Sequence, residues 1–322
     1  MPMYKTALPI AFTLCLLSAA SAQAEGVVLT GDYLQVSVSD SGTFGQRGNT
    51  RPAFVHDPTG TRTFDLSTDY IAPGTPHDGF SLFADQFGFR QSSNVFGIND
   101  FGISPPTLLT GAAARGYANA VSWSGVLDGF LNITNSYFFN PGDERVLIET
   151  SITALSNLTN LAFGRSVDPD SGTTVSLNQR GNVTLGINDF VGSESTLNGR
   201  TLALININNN GFANTTQINR SCCLNINPLD VLNHTGGDLG LSSTGDNGLN
   251  LAYRIGSLSS GSTATFQYAY AAGLGLDEII VTPTPGAVPE PSTWAMMILG
   301  FAFVGGAMRS AKRRQRAVLH YT

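Results

Sequence analysis

From Gly26 onward apolar and polar residues alternate with a period of two, and clusters of Gly, Asn, Asp and Pro interrupt the alternation. Leu131, Ile133, Tyr137 and Phe139 share one face of an expected strand that stops at Asn140-Pro141-Gly142-Asp143; Val146, Ile148, Ile152 and Ala154 then resume the even spacing. This pattern predicts a β-hairpin. Leu249, Leu251, Tyr253 and Ile255, a turn over 257–262 containing Gly261, and Ala264, Phe266, Tyr268 and Tyr270 predict a second pair of strands. Further strands are expected near 27–37, 120–124, 161–167, 183–187 and 202–207. Sustained helical periodicity is hard to find, so the expected fold class is all-β: an antiparallel β-sandwich body over residues 25–275, as one large sandwich or two smaller ones. Gly97-Ile98-Asn99-Asp100-Phe101 recurs at Gly186-Ile187-Asn188-Asp189-Phe190, which fits either a duplication or repeated turn chemistry.

Composition sharpens this picture. Only 12% of the 322 residues are charged, and 36 are Gly, the make-up of a turn-rich exported β protein. Charge is unevenly placed. The 17 basic residues include Lys5 near the start and five between Arg309 and Arg316, while all 23 acidic residues lie between Glu25 and Glu290. The body therefore sets 11 arginines and no lysine against 23 carboxylates, a balance of −12. Such a body repels a phosphate backbone, so nucleic acid is not an expected partner.

The two ends read as addresses. Lys5, an apolar run over 7–17 and the small residues Ala22 and Ala24 at the −3 and −1 positions describe a Sec-type signal peptide (1–24), cleaved between Ala24 and Glu25. The Pro-rich stretch 276–288 is a spacer that continues neither sheet nor helix. The apolar run from Trp294 to Met308 measures about 22 Å as a helix, short against a hydrocarbon core of about 30 Å. Arg309, Lys312, Arg313, Arg314 and Arg316 follow it. They orient it as a short transmembrane helix with the body outside and the basic stub in the cytoplasm.

Val288-Pro289-Glu290-Pro291-Ser292-Thr293-Trp294-Ala295, the Gly-rich apolar run and the terminal Arg cluster together resemble the PEP-CTERM sorting signal, in the variant with Trp-Ala after the motif. The resemblance covers only the tail, 289–316, with the span at 294–308 and the basic stub at 309–316. It implies that Pro289, Glu290, Pro291 and Trp294 form the recognition sequence of an exosortase, a membrane transpeptidase of Gram-negative bacteria. It further implies transient residence in the inner membrane, then delivery to the envelope, the surface or the extracellular matrix, where exopolysaccharide and biofilm are common associates. An uncut tail anchor is the alternative.

The body offers few candidates for chemistry. Asp168-Pro169-Asp170-Ser171-Gly172 places two carboxylates two apart after an expected strand, where they can present oxygens to calcium; the EF-hand spacing is absent, and the string is also ordinary turn chemistry. Cys222 and Cys223 are the only cysteines beyond the signal peptide; a vicinal disulfide, an intermolecular link and free thiols all stay open. His56-Asp57, His77-Asp78 and His234 lie next to turn residues, and surface loops are expected for all three histidines. Glu144 and Glu149 are a candidate carboxylate couple. No catalytic motif is recognised. The body is therefore expected to be structural or adhesive, not enzymatic. A polysaccharide-binding module or polysaccharide-active enzyme, with a cleft lined by Trp123, is the alternative.

Overall fold

The computed structural model describes residues 26–46, 51–71, 77–95, 98–171, 176–181 and 189–279. The signal peptide, the sorting tail, the expected strand near 183–187, and residues 97 and 186–188 of the two pentapeptide copies lie outside these residues. Among the described residues no helix is long and apolar enough to cross a membrane.

The alternation produces strands almost throughout. In chain order they are β1 (Val27–Thr30), β2 (Leu34–Val38), β3 (Phe54–His56), β4 (His77–Ala84), β5 (Gly88–Ser93), β6 (Thr107–Leu108), β7 (Asn119–Leu127), β8 (Leu131–Phe139) and β9 (Arg145–Ala154). There follow β10 (Leu158–Asp168), β11 (Ser176–Gly181), β12 (Phe190–Ser195), β13 (Thr201–Asn208), β14 (Ala213–Asn219), a short helix α1 (Pro228–Leu232), β15 (Ser242–Gly245), β16 (Gly248–Leu258), β17 (Thr263–Gly273) and α2 (Leu276–Ile279). They form three antiparallel sheets: β1-β2-β3, a five-stranded sheet β14-β16-β10-β4-β5, and a nine-stranded sheet β15-β11-β12-β13-β17-β9-β8-β7-β6.

The β8–β9 hairpin is present as the spacing predicts. Burial along β9 alternates strictly over its ten residues, and the turn closes through Asp143 N–H to Asn140 O at 3.0 Å and Asn140 N–H to the Asp143 carboxylate at 2.7 Å. Expected strand 27–37 is itself a hairpin, β1–β2, broken at Gly31-Asp32-Tyr33.

The second expected pair needs correction. β16 and β17 are consecutive but do not pair: β16 lies between β10 and β14 in the five-stranded sheet, and β17 between β9 and β13 in the nine-stranded one. Their turn crosses from one sheet to the other, and Gly261 N–H to Ala154 O at 2.8 Å ties it to the end of β9. The apolar faces of the two strands thereby oppose each other. Tyr253 stacks on Phe266 with ring centroids 4.3 Å apart.

One apolar cluster unites all three sheets, with Phe80, Phe163 and Tyr253 from the five-stranded sheet, Trp123, Tyr137 and Phe266 from the nine-stranded sheet, and Phe54 from β3. Within it lies an ion pair with neither side chain exposed, Arg165 to Asp78. Asp78 also accepts from Phe44 N–H at 2.6 Å and from the Tyr270 hydroxyl, and Arg165 Nε donates to Tyr270 Oη at 2.7 Å. Burial works against the guanidinium's charge, but Asp78 together with Tyr270, Tyr268 and Tyr137 outweighs it and holds Arg165 well above its ordinary value.

Candidate functional site

The outer face of the five-stranded sheet carries polar residues, because each of its strands alternates core-facing with outward-facing positions. The connection from β14 to β16 lies across this face and is pinned to it. Ser81 Oγ donates to Ile226 O at 2.8 Å, Ile226 N–H to Ser166 Oγ at 3.3 Å, and Asn225 Nδ2 to Ser92 O at 3.0 Å. Asn227 caps α1 by accepting from Leu229 N–H, with Pro228 at the first helical position. At Gly248 a Cβ would stand 2.6 Å from Ser221 O. Only glycine lets the segment carrying the cysteines lie so close to β16.

Cys222 and Cys223 are joined as a vicinal disulfide. Cys223 Sγ stands 3.4 Å from Asp168 Oδ2. A disulfide sulfur has no hydrogen to give, so this is a contact and not a hydrogen bond. Asp168 and the two cysteines have the proximity of a metal-ligand set, yet the bridged sulfurs are not thiolates and lack the charge that binds metal.

Asp168 ends β10 and is almost fully buried; Asp170 follows, held by its N–H to Tyr70 O at 2.7 Å. The structure adds a third carboxylate, Asp246, from the turn between β15 and β16, within hydrogen-bonding reach of Asp168. Burial, then Asp246 and Asp170, push the Asp168 carboxyl up to about 8; burial and Asp246 push Asp170 up to about 6. Sequence reasoning placed Asp168 and Asp170 together but missed Asp246, whose Gly245-Asp246-Asn247-Gly248 turn carries no sign of a partner 78 residues earlier.

Two of the histidine expectations are corrected. His56 ends β3 and His77 opens β4, and both are buried in strands, not surface loops. Each adjoining aspartate explains why: Asp57 gathers the N–H groups of Thr59, Thr61 and Thr63, and Asp78 anchors the core ion pair. His234 is half-exposed, between Asp238 Oδ2 at 2.9 Å and Thr215 Oγ1 at 3.3 Å.

Glu144 and Glu149 do not act as a couple. At about 3.3 Å per residue along a strand they are roughly 16 Å apart, on opposite faces. Arg115 and Gln267 bind Glu149, whereas Glu144 Oε1 lies 3.5 Å from His56 Nε2. Trp123 lines no cleft; it is buried and donates Nε1–H to Asp40 O at 2.8 Å.

The sorting residues Pro289, Glu290, Pro291 and Trp294, the basic residues Arg309, Lys312, Arg313, Arg314 and Arg316, and Ala22 and Ala24 lie outside the described residues. Residues 287–314 match the PEP-CTERM protein-sorting motif. The chain carries a PEP-CTERM tail. Such a tail implies export and processing by exosortase, a membrane enzyme. No curated protein matches the chain. Solved structures similar to it include the heparan sulfate lyase HepC from Pedobacter heparinus, at 9% identity and a TM-score of 0.35 over 74% of this chain and 30% of that one. They also include a galactose mutarotase-like protein from Lactobacillus casei, at 9% identity and a TM-score of 0.40 over 77% of this chain and 100% of that one. The PEP-CTERM chain thus spans less than a third of the length of the lyase.

Proposed function

We propose that the chain is an exported envelope or extracellular-matrix protein of a Gram-negative bacterium, delivered through an exosortase-like transpeptidase. Its β body is structural or adhesive and works in an exopolysaccharide or biofilm setting. The observation that carries this reading is the order of parts in the tail: Pro289-Glu290-Pro291, a short apolar run, then an Arg cluster. The run is too short for a stable anchor and the charges stop transfer, so the chain is held in the membrane long enough for cleavage. Sealing of the large aromatic side chains in the core supports a body that acts through its surface. Intact mass and C-terminal sequencing of the protein from fractionated native cells test the proposal. A C-terminus near 289–294 outside the inner membrane is the expected result; a chain still ending at Thr322 in the inner membrane overturns it.

A second reading, action on polysaccharide, draws on one group of residues. His56, Tyr70, Glu144 and Arg200 converge from separate segments. The rings of His56 and Tyr70 stack at 6.5 Å, and Arg200 Cζ lies 4.6 Å from the Tyr70 ring. Burial and then Arg200 push the His56 imidazole down to about 4, and burial raises the neighbouring Glu144 carboxyl. Glu144 is exposed and Arg200 partly so, with His56 and Tyr70 buried behind them; an acid of raised pKa beside a cation suits an anionic sugar. Turnover of uronate-containing polysaccharides by the wild type, lost in H56N and E144Q, is the result this reading requires.

A further inference from the structure

The vicinal bridge covers a set of ligand atoms. Among the described residues, one carboxylate oxygen of Asp168 and the sulfurs of Cys222 and Cys223 all lie within 4.8 Å of one another. Around a tetrahedral zinc, with Zn–S about 2.3 Å and Zn–O about 2.1 Å, a sulfur and an oxygen ligand are about 3.6 Å apart. Cys223 Sγ and Asp168 Oδ2 stand 3.4 Å apart. What the bridged pair lacks is thiolate charge.

The carboxylate gives a second, independent sign of a ligand. Asp168 is 3% exposed; its Oδ1 has no hydrogen-bond partner, and its Oδ2 is aimed at the Cys223 sulfur. Asp246 beside it is acidic too and donates nothing once ionised. A buried carboxylate left without donor or counter-charge is costly, and a cation at the sulfurs supplies the charge. The cysteines also keep their place without the bridge. Ser221 N–H donates to Asn219 Oδ1 at 2.8 Å before them, Leu224 N–H donates to Cys222 O at 2.8 Å, and Asn225 and Ile226 are fastened to the sheet after them. Both cysteines are half-buried, within reach of a thiol in solution. Because the bridge closes almost no loop, opening it takes little stability from the fold.

We infer that the bridge is the oxidised, closed form of a thiolate metal site: once reduced, Cys222 and Cys223 join Asp168 in holding one ion of the zinc class. Soft thiolates select such an ion over calcium or magnesium. A dithiol, as a small molecule or an oxidoreductase, gives two electrons and two protons to the bridge and leaves as its own disulfide. Zinc then displaces the two thiol protons to water, and the three protein ligands leave a fourth position for a water molecule. The site lies in the body alone and forms whether or not the tail is cleaved.

Titrations of cobalt(II) chloride and then zinc chloride into the full chain, purified in detergent, test this with the bridge intact and after reduction by a phosphine, the reduction being verified by alkylation and mass. In the reduced chain cobalt is expected to give thiolate-to-metal charge-transfer absorption, and zinc to abolish it at one ion per chain. The oxidised chain is expected to give neither. D168N, its fold checked by far-UV spectrum, and C222S, changed at a half-buried position, are each expected to bind zinc at least about tenfold more weakly when reduced, a shift of ~1.4 kcal/mol. Absence of charge-transfer absorption in the reduced wild type overturns the inference. Equal zinc affinity before and after reduction overturns it too, as does undiminished affinity in either variant that folds.

Discussion

Tyr253 and Phe266 stack face to face at 4.3 Å although they sit on consecutive strands, because the turn between those strands passes from one sheet to the other. The contact is therefore part of what holds the sheets together. Tyr253 Oη also donates to Asn206 Oδ1 at 2.9 Å, giving the buried hydroxyl a partner. F266A is expected to cost about 3–5 kcal/mol, the range for emptying a buried aromatic site. Y253F is expected to cost more nearly 1 kcal/mol, plus the penalty of leaving Asn206 unmatched. Denaturant unfolding of both variants checks the order.

The ion pair Arg165–Asp78 is sealed in the core. R165M leaves a buried carboxylate without its counter-charge and is expected to destabilise by about 3–5 kcal/mol. The double variant R165M/D78L removes both charges and is expected to recover much of that loss. A double-mutant cycle measures the coupling; additive effects of the two single changes contradict the pairing.

His56 gives a pH dependence of known sign. Its folded-state pKa is lowered from 6.5 to about 4. The unfolded chain thus takes up a proton at a pH where the folded chain does not. The contribution to stability is complete above about pH 6.5 and is lost as pH falls toward 4, by roughly 3 kcal/mol in all. Urea midpoints of the wild type minus those of H56Q, across pH 4–7, are expected to show this decline; a flat difference rules it out.

The vicinal disulfide is expected to add little global stability. It closes almost no loop, so the loss of unfolded-state entropy is at most about 1 kcal/mol. The C222S/C223S double variant should unfold close to the wild type. A loss much beyond that assigns the bridge an enthalpic role in holding the 220–247 connection on the sheet. Mass spectrometry after alkylation, with and without reductant, checks the bridge itself.

In the tail, replacing Pro289, Glu290 and Pro291 together by alanine is expected to leave the body folded and the chain uncut. The full-length mass should then accumulate in the inner membrane. Normal processing of that variant in the native host contradicts the role assigned to the motif.

The sequence alone determined what depends on neighbours along the chain. Period-two spacing through Val146, Ile148, Ile152 and Ala154 predicts β9 because a strand sends alternate side chains to one face, whatever that face meets. The tail is legible for a similar reason: its motif, span and charges are read as a linear string. Only the tertiary structure decided which strands meet. The same alternation in β16 and β17 suits a hairpin or a crossing between sheets, and the choice falls to the opposed rings of Tyr253 and Phe266. His56 and His77, beside turns in sequence, are buried because the aspartates after them are drawn into the backbone and the core. Asp246 joins Asp168 only because β16 runs antiparallel beside β10, a pairing set by the packing of whole faces and written in no local run of residues.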